Sequence, residues 1–370
     1  MKFLVVLLSF LYLLQQRVVS GLNFNRIAFF PVCRQLDPTC NTDNVTNAEI
    51  LSVSTDGLTV IYGDSESGAV GFVDIADPYN PAPLGFVDVG GEPTSLGVTG
   101  DYVVVAVNTS PDFVNVSGVL YIINIDTQEV LRTMDLEGQP DSVAISPDQR
   151  FVAIAIENER NEDLEDGGGL PQLPAGFLNI LVTESDDVME WELSKVELTG
   201  LDGPVEPDDP EPEYVDINDD NICVLTLQEN NGIVLIDLEA QAVISSFTAG
   251  TVDLTNIDVI ENDVIYQNSS ATLSDLPREP DGVTWISTEN FVTSDEGDWL
   301  GGTRGFTVYD KEGNIVYTSA EELETLAIKY GHYPEGRAEN KGKLSCSCRS
   351  SISAVNNTRD SPERLLRKRQ

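Results

Sequence analysis

The chain has 370 residues, of which 62 are acidic and 21 basic, for a formal net charge of −41; 41% are hydrophobic and 7% aromatic. Enough apolar material is present to bury a core, so wholesale disorder is excluded. The charge argues against nucleic acid and anionic membranes as partners, because phosphate demands Lys and Arg. With His332 the single histidine, histidine triads and multi-histidine metal sites have almost nothing to draw on.

Lys2, the apolar run Phe3–Leu14 and the small residues Val18 and Ser20 read as a secretory signal over residues 1–20. The run is too short for a membrane span, and no later stretch reaches 18 apolar residues. A secreted, extracellular chain without a transmembrane segment is the expectation. Asn44, Asn108, Asn115, Asn268 and Asn356 open Asn-x-Ser/Thr sequons and are candidate glycosylation sites. Cys33 and Cys40 flank a short loop and are expected to pair in an oxidising compartment. Cys223 lies in the apolar run Ile222–Leu227 and reads as a buried thiol, while Cys346 and Cys348 sit in a basic tail that offers no further zinc ligands.

From residue 48 onward a repeat governs the sequence. Gly91-Glu92-Pro93-Thr94-Ser95, Gly138-Gln139-Pro140-Asp141-Ser142, Pro210-Glu211-Pro212-Glu213-Tyr214 and Arg278-Glu279-Pro280-Asp281-Gly282 each open a run of short strands, and Asn47-Ala48-Glu49 is an earlier copy without the proline. The spacing is about 45 residues, stretched to about 70 in the third and fourth intervals, the span of a four-stranded propeller blade. The stretched intervals hold insertions, one over Asn161–Pro174 with Gly203–Pro210 and one over roughly Asn268–Pro277. Each unit then gives a turn such as Ser146-Pro147-Asp148 or Asn218-Asp219-Asp220 and an apolar strand (Tyr102–Val107, Phe151–Ile156, Ile222–Leu227). A third strand ending in Asp follows (Val70–Asp74, Leu120–Asp126, Ile233–Asp237, Phe306–Asp310). Fold class is therefore all-β, a β-propeller of antiparallel blades over residues 21–342. The one helical pattern opens with the capping box Ser319-Ala320-Glu321-Glu322 and places Leu323, Leu326, Ala327 and Tyr330 on one face near 320–330.

Chemistry is sparse. Nucleophile elbows, phosphate-binding loops and metalloprotease motifs are missing from the sequence; Gly301-Gly302-Thr303-Arg304-Gly305 reads as a turn, and His332 as a structural residue more than a base. The repeat itself offers one constellation. Counted from each blade's start to the end of its second strand, Asp64, Asn108, Glu157, Glu229 and Glu296 fall at matching offsets. Asp295 and Asp298 stand beside the last of them. Matching offsets lie around one rim of a propeller, and hard oxygen donors without His or Cys suit calcium. Polar residues where strands emerge into loops are the plainer alternative.

Asp141–Asp148 and Val224–Leu238 resemble the repeat of surface-layer and quinoprotein-like propellers. Arg278–Val283, Asp295–Asp298, Gly302–Phe306 and Gly331–Gly342 more specifically resemble the mesenchyme-specific cell-surface glycoprotein family, also called choice-of-anchor I domain proteins, over about residues 24–342. The resemblance implies a seven-bladed propeller, of which about five blades fall in this sequence, and a link to biomineral-forming cells. The family pattern stops at Gly342. Residues 343–370 are basic and strand-free and read as a tail foreign to the family, expected to be disordered. Two further features bear on function. All but two of the 62 acidic residues lie within 22–340, and eight of the 21 basic ones cluster in 341–370. The expected work is binding calcium or a mineral surface in an extracellular matrix or at a cell surface, with catalysis left open. A metal-dependent phosphoesterase of the alkaline-phosphatase-like kind, suggested by bacterial relatives, is the alternative, as is a scaffold for matrix proteins or glycans.

Overall fold

The computed structural model describes residues 25–41, 43–164, 168–257, 271–297, 299–300 and 305–330. Residues 1–20 and 343–370, together with Asn268, Asp298, Arg304, His332, Cys346, Cys348 and Asn356, lie outside the described residues, as does the side chain of Ala327.

Five four-stranded sheets follow one another along the chain, each an antiparallel meander. The first runs β1 (Ala48–Val53), β2 (Thr59–Asp64), β3 (Ala69–Asp74) and β4 (Ala82–Asp88). The second contains β5 (Glu92–Thr99), β6 (Tyr102–Asn108), β7 (Gly118–Asn124) and β8 (Val130–Asp135), and the third β9 (Pro140–Ile145), β10 (Phe151–Ile156), β11 (Phe177–Val182) and β12 (Glu192–Glu197). The fourth holds β13 (Pro212–Ile217), β14 (Ile222–Leu227), β15 (Gly232–Asp237) and β16 (Ala242–Thr248). A two-stranded ribbon, β17 (Thr251–Ile257) with β18 (Ala271–Pro277), precedes the fifth sheet of β19 (Pro280–Trp285), β20 (Asn290–Asp295), β21 (Gly305–Asp310) and β22 (Ile315–Thr318). These are blades of a β-propeller. The ribbon accounts for the second insertion, which starts at Thr251 and not near Asn268, because the chain leaves β16 directly into β17.

The second strands of the middle three blades, β6, β10 and β14, are largely apolar because both of their faces are covered. In β6, Val103, Val105 and Val107 pack with Ile61, Val70 and Phe72 of the first blade, while Val104 and Ala106 pack with Val152, Ile154 and Ile156 of the third. The third and fourth blades meet through Phe151, Ala153 and Ala155 against Cys223, Leu225 and Leu227, and the fourth and fifth through Val224, Ile233 and Leu235 against Val283, Phe291 and Tyr309. Burial at this scale stabilises by about 25 cal/mol per Å² of apolar surface. Cys223 is wholly buried and unbridged within this packing.

Hydroxyl groups tie neighbouring blades together. Ser95 Oγ accepts from Val143 N at 3.0 Å; Ser142 Oγ donates to Glu213 O and accepts from Val215 N at 3.1 Å; Thr226 Oγ1 donates to Asp281 O at 2.7 Å. Inner strands pack in chain order, β1 on β5, β5 on β9, β9 on β13 and β13 on β19, and among the described residues no comparable packing returns from β19 to β1. The blades therefore form an open arc. The recurring Asp at the end of third strands has a local reason: Asp74, Asp237 and Asp310 each accept from backbone N–H groups of the following turn. In the second blade Asn124 does this, so that strand ends at Asn124 and not at Asp126.

Helix α1 (Glu322–Lys329) follows the fifth blade. Leu323, Leu326 and Tyr330 are exposed, not packed inward. The Ser319 hydroxyl, expected to cap the helix, accepts from Phe306 N at 2.8 Å instead, and so holds the chain against β21. At the other end of the arc, Cys33 and Cys40 form a disulfide with Cα atoms 5.2 Å apart, and Gln35 clips the segment to the first blade through Phe72 O and Gly85 N.

Candidate functional site

Antiparallel pairing puts the start of each inner strand beside the end of the second strand. Pro140 lies opposite Ile156, Pro212 opposite Leu227 and Pro280 opposite Asp295. Proline suits these starts, since its fixed φ is compatible with extended backbone and it has no N–H to leave unpaired. The residues flanking the prolines, Asp141, Glu211, Glu213, Glu279 and Asp281, consequently share one end of the arc with those just past the second strands, Glu157, Gln228, Glu229 and Glu296.

Glu211 stands at the centre. It is 1% exposed and neither carboxylate oxygen has a hydrogen-bond partner. Its ion partner is Arg160, whose Nε is 3.9 Å from Oε2. That guanidinium, 4% exposed, is also 3.7 Å from Glu229 and 3.2 Å from Glu162, and it donates to Gly168 O at 3.0 Å. Burial first, and then the charges of Glu229 and Glu157, push the Glu211 carboxyl well above the usual carboxylate range, with Arg160 pulling the other way. Glu213 is also held well above that range by burial and by Glu229, Asp281, Glu157 and Asp141 in turn. The Gln228 amide lies between Glu213 and Glu296. Turned toward Glu213 it donates to both oxygens, at 2.7 and 3.0 Å; turned away it reaches Glu296 only at 3.5 Å. The first orientation makes the shorter and stronger bonds.

Both parts of the first insertion converge on this group. Gln172 N donates to Asp209 Oδ2, and Gln172 Oε1 accepts from Asn161 N at 3.0 Å. Asn230 accepts from Glu211 N at 2.9 Å and donates to the carbonyls of Val205 and Asp209, each at 2.9 Å. Asp209 is 1% exposed, and burial raises its carboxyl pKa. Gly176, which leads into β11, is required by the close approach: a Cβ there would fall 2.3 Å from Pro212 Cδ and 2.4 Å from Ile156 O.

Of the seven residues proposed from the repeat, Glu157 and Glu229 come together here, and Glu296 lies on the other side of the Gln228 amide from Glu213. Asp64 does not join them: its Oδ1 accepts from Asn47 N at 2.8 Å and Ser67 N at 3.1 Å, holding the turn between β2 and β3. Asn158 and Asn230 fill the same slot, accepting from Gln139 N and Glu211 N. Asn108 accepts from Ser110 N at 2.9 Å. Asp295 accepts from Thr293 and Thr307 hydroxyls and lies 3.8 Å from Arg278, whose Nη1 reaches Ala249 O and Thr251 O; burial pushes its carboxyl up to about 6. This second buried group latches the ribbon to the fifth blade. Asp298 lies outside the described residues. Among the sequons, Asn44 and Asn115 are exposed and Asn108 is partly exposed.

Glu211, Glu213, Asp141, Asp281 and Arg160 were missed as chemistry by the sequence reading, although four of the five flank the prolines that mark the blades. The donor set is all oxygen, without His or Cys, which suits a hard divalent cation. Among the described residues no three His, Cys, Asp or Glu side chains are arranged to enclose a metal ion as they stand, so a bound cation would have to draw carboxylates inward.

Comparison with known proteins gives one family and a set of distant structures. The Choice-of-anchor I domain matches residues 49–301. No curated protein sequence matches the chain. Similar solved structures include one titled mitotic checkpoint complex (9% identity, TM-score 0.47, 75% of this chain and 66% of that one) and a Bacteroides caccae protein of unknown function (11%, 0.41, 76% and 84%). A third is virginiamycin B lyase from Staphylococcus aureus (10%, 0.42, 72% and 67%). The chain spans about two thirds of the length of the first and third of these. No described helix is long and apolar enough to cross a membrane.

Proposed function

The chain belongs to the choice-of-anchor I domain family, and from that premise we propose that it is a secreted, glycosylated, acidic propeller of the mesenchyme-specific glycoprotein type. Its work is to hold calcium or a calcium-bearing mineral surface at the end of the arc where the third, fourth and fifth blades meet. The family supports a protein at or outside the cell surface; export through residues 1–20 and glycosylation at Asn44 and Asn115 belong to the proposal. One observation carries it: Glu211 is buried with neither oxygen hydrogen-bonded, in company with Glu213, Glu157, Glu229 and the Arg160 guanidinium. Buried carboxylates in such excess cost stability unless protonated or met by a cation, and a divalent oxygen-seeking ion meets them best.

The test is a melting experiment on the full chain. Millimolar calcium should raise Tm more than sodium chloride of equal ionic strength does, because a specific site stabilises by mass action while screening treats the salts alike. Glu211→Gln with Glu213→Gln should remove that difference; Asp219→Asn with Asp220→Asn, in an exposed turn, should leave it. Equal loss from both pairs would reduce the effect to diffuse charge.

A further inference from the structure

Arg160 belongs to the same group by geometry, and its role there rests on the cation reading above. Its guanidinium is 4% exposed and lies 3.2–3.9 Å from three carboxylates, Glu162, Glu229 and Glu211. The contacts to Glu229 and Glu211 are long for ion pairs. Charge-assisted hydrogen bonds between such groups run at about 2.7–2.9 Å, and Glu211 makes none. Arg160 also donates to a neutral acceptor, Gly168 O at 3.0 Å. Arg160 thus supplies positive charge to Glu211 without giving it a hydrogen bond.

We propose that Arg160 is an internal counter-ion that competes with the divalent cation and sets the affinity of the site. In the cation-free protein it offsets part of the carboxylate repulsion around Glu211. On binding, the cation takes over Glu211 and Glu229, and the guanidinium keeps Glu162 and Gly168. A fixed positive charge beside a cation site opposes a divalent ion about twice as strongly as a monovalent one, so the residue also lowers the preference for calcium over sodium. The opposite role, a strut that merely shapes the group, would make its loss weaken binding.

Calorimetric titration of the full chain with calcium chloride separates these. Arg160→Gln should bind calcium at least tenfold more tightly than the unaltered protein while melting at a lower temperature without calcium. Arg160→Lys, which keeps the charge, should stay near the original affinity. If the Gln variant does not fold, Arg160→Met, which retains the apolar stem, is read the same way. Calcium binding that the neutral variants leave unchanged or weaken overturns the counter-ion role and spares the site. Absence of saturable calcium heat in the original protein and in every variant overturns the site and the counter-ion role together. Tight calcium binding seen only once Arg160 is neutral supports the competition directly.

Discussion

Asp64 and Glu211 are both acidic, both almost wholly buried, at 3% and 1% exposure, and both stand where a blade's inner strand begins or its second strand ends. Their surroundings differ in one respect. Asp64 accepts two backbone N–H bonds, so its charge is spent on a turn; Glu211 accepts none. Acidity and burial therefore do not identify a binding group. What distinguishes it is the lack of backbone donors, and the fold produces that lack where the slot next to the proline carries Glu while Asn230 takes over the turn.

Predictions that break this comparison come first. A methyl group at Gly176 would collide with Pro212 Cδ and Ile156 O, so Gly176→Ala should displace the strand behind the acidic group and cost about 3 kcal/mol or more by overpacking. Urea unfolding measures it, and a cost near zero would mean that the group is not rigidly framed. Asp64→Ala should cost about 2 kcal/mol through two orphaned backbone donors, with calcium binding unaffected in a parallel titration. Loss of calcium binding in that variant would return Asp64 to the ligand set. Glu211→Gln should behave in the opposite way. It relieves repulsion, so Tm without calcium should rise by a few degrees; a fall would place Glu211 among the turn carboxylates.

Solution pH sharpens the contrast. Glu211, Glu213, Asp209 and Asp295 all have carboxyl pKa values raised in the folded state, Asp295 to about 6 from 3.8. At these four groups the folded state binds more protons than the unfolded one, so their contribution to stability rises as pH falls through the folded pKa, and for Asp295 the gain accrues between pH 6 and 3.8. Tm without calcium should accordingly be higher at pH 5 than at pH 7.5, while calcium affinity, which needs the ionised carboxylates, should drop over the same interval. Asp295→Asn should remove part of the Tm change and none of the calcium response. The smallest effect belongs to the blade-to-blade hydroxyls: Ser142→Ala should cost about 1 kcal/mol.

Much of the fold was legible because each of its rules leaves a residue behind. Proline marks four of five inner strands, Asp or Asn marks the turn after most third strands, and the second strands of the middle three blades read as apolar runs because neighbouring blades cover both faces. The ends of elements were less legible. Nothing in the local pattern separates Asp126 from Asn124 as the turn acceptor, and the helix near 320–330 has the periodicity of a buried face yet exposes Leu323 and Leu326. For the candidate site, counting from the proline slipped by a residue or more, since every inner strand has an irregularity in pairing right after its start. Asp64 and Glu229 were thereby set in one slot although Asn230 is the counterpart of Asp64. Glu211 and Glu213 were in plain view as parts of the repeat motif, but their function depends on which backbone donors are already taken, and only the folded chain settles that. Arg160, at the mouth of an insertion, had no sequence signal at all.

The central claim is that Glu211, whose carboxylate oxygens have no hydrogen-bond partner, and Glu213 beside it hold calcium. Calorimetric titration of the full chain with calcium at pH 7.5, set beside the Glu211→Gln, Glu213→Gln double variant, tests it most directly. The account predicts saturable binding in the original chain and none in the double variant, with both chains folded. Saturable binding that survives the double substitution would contradict it.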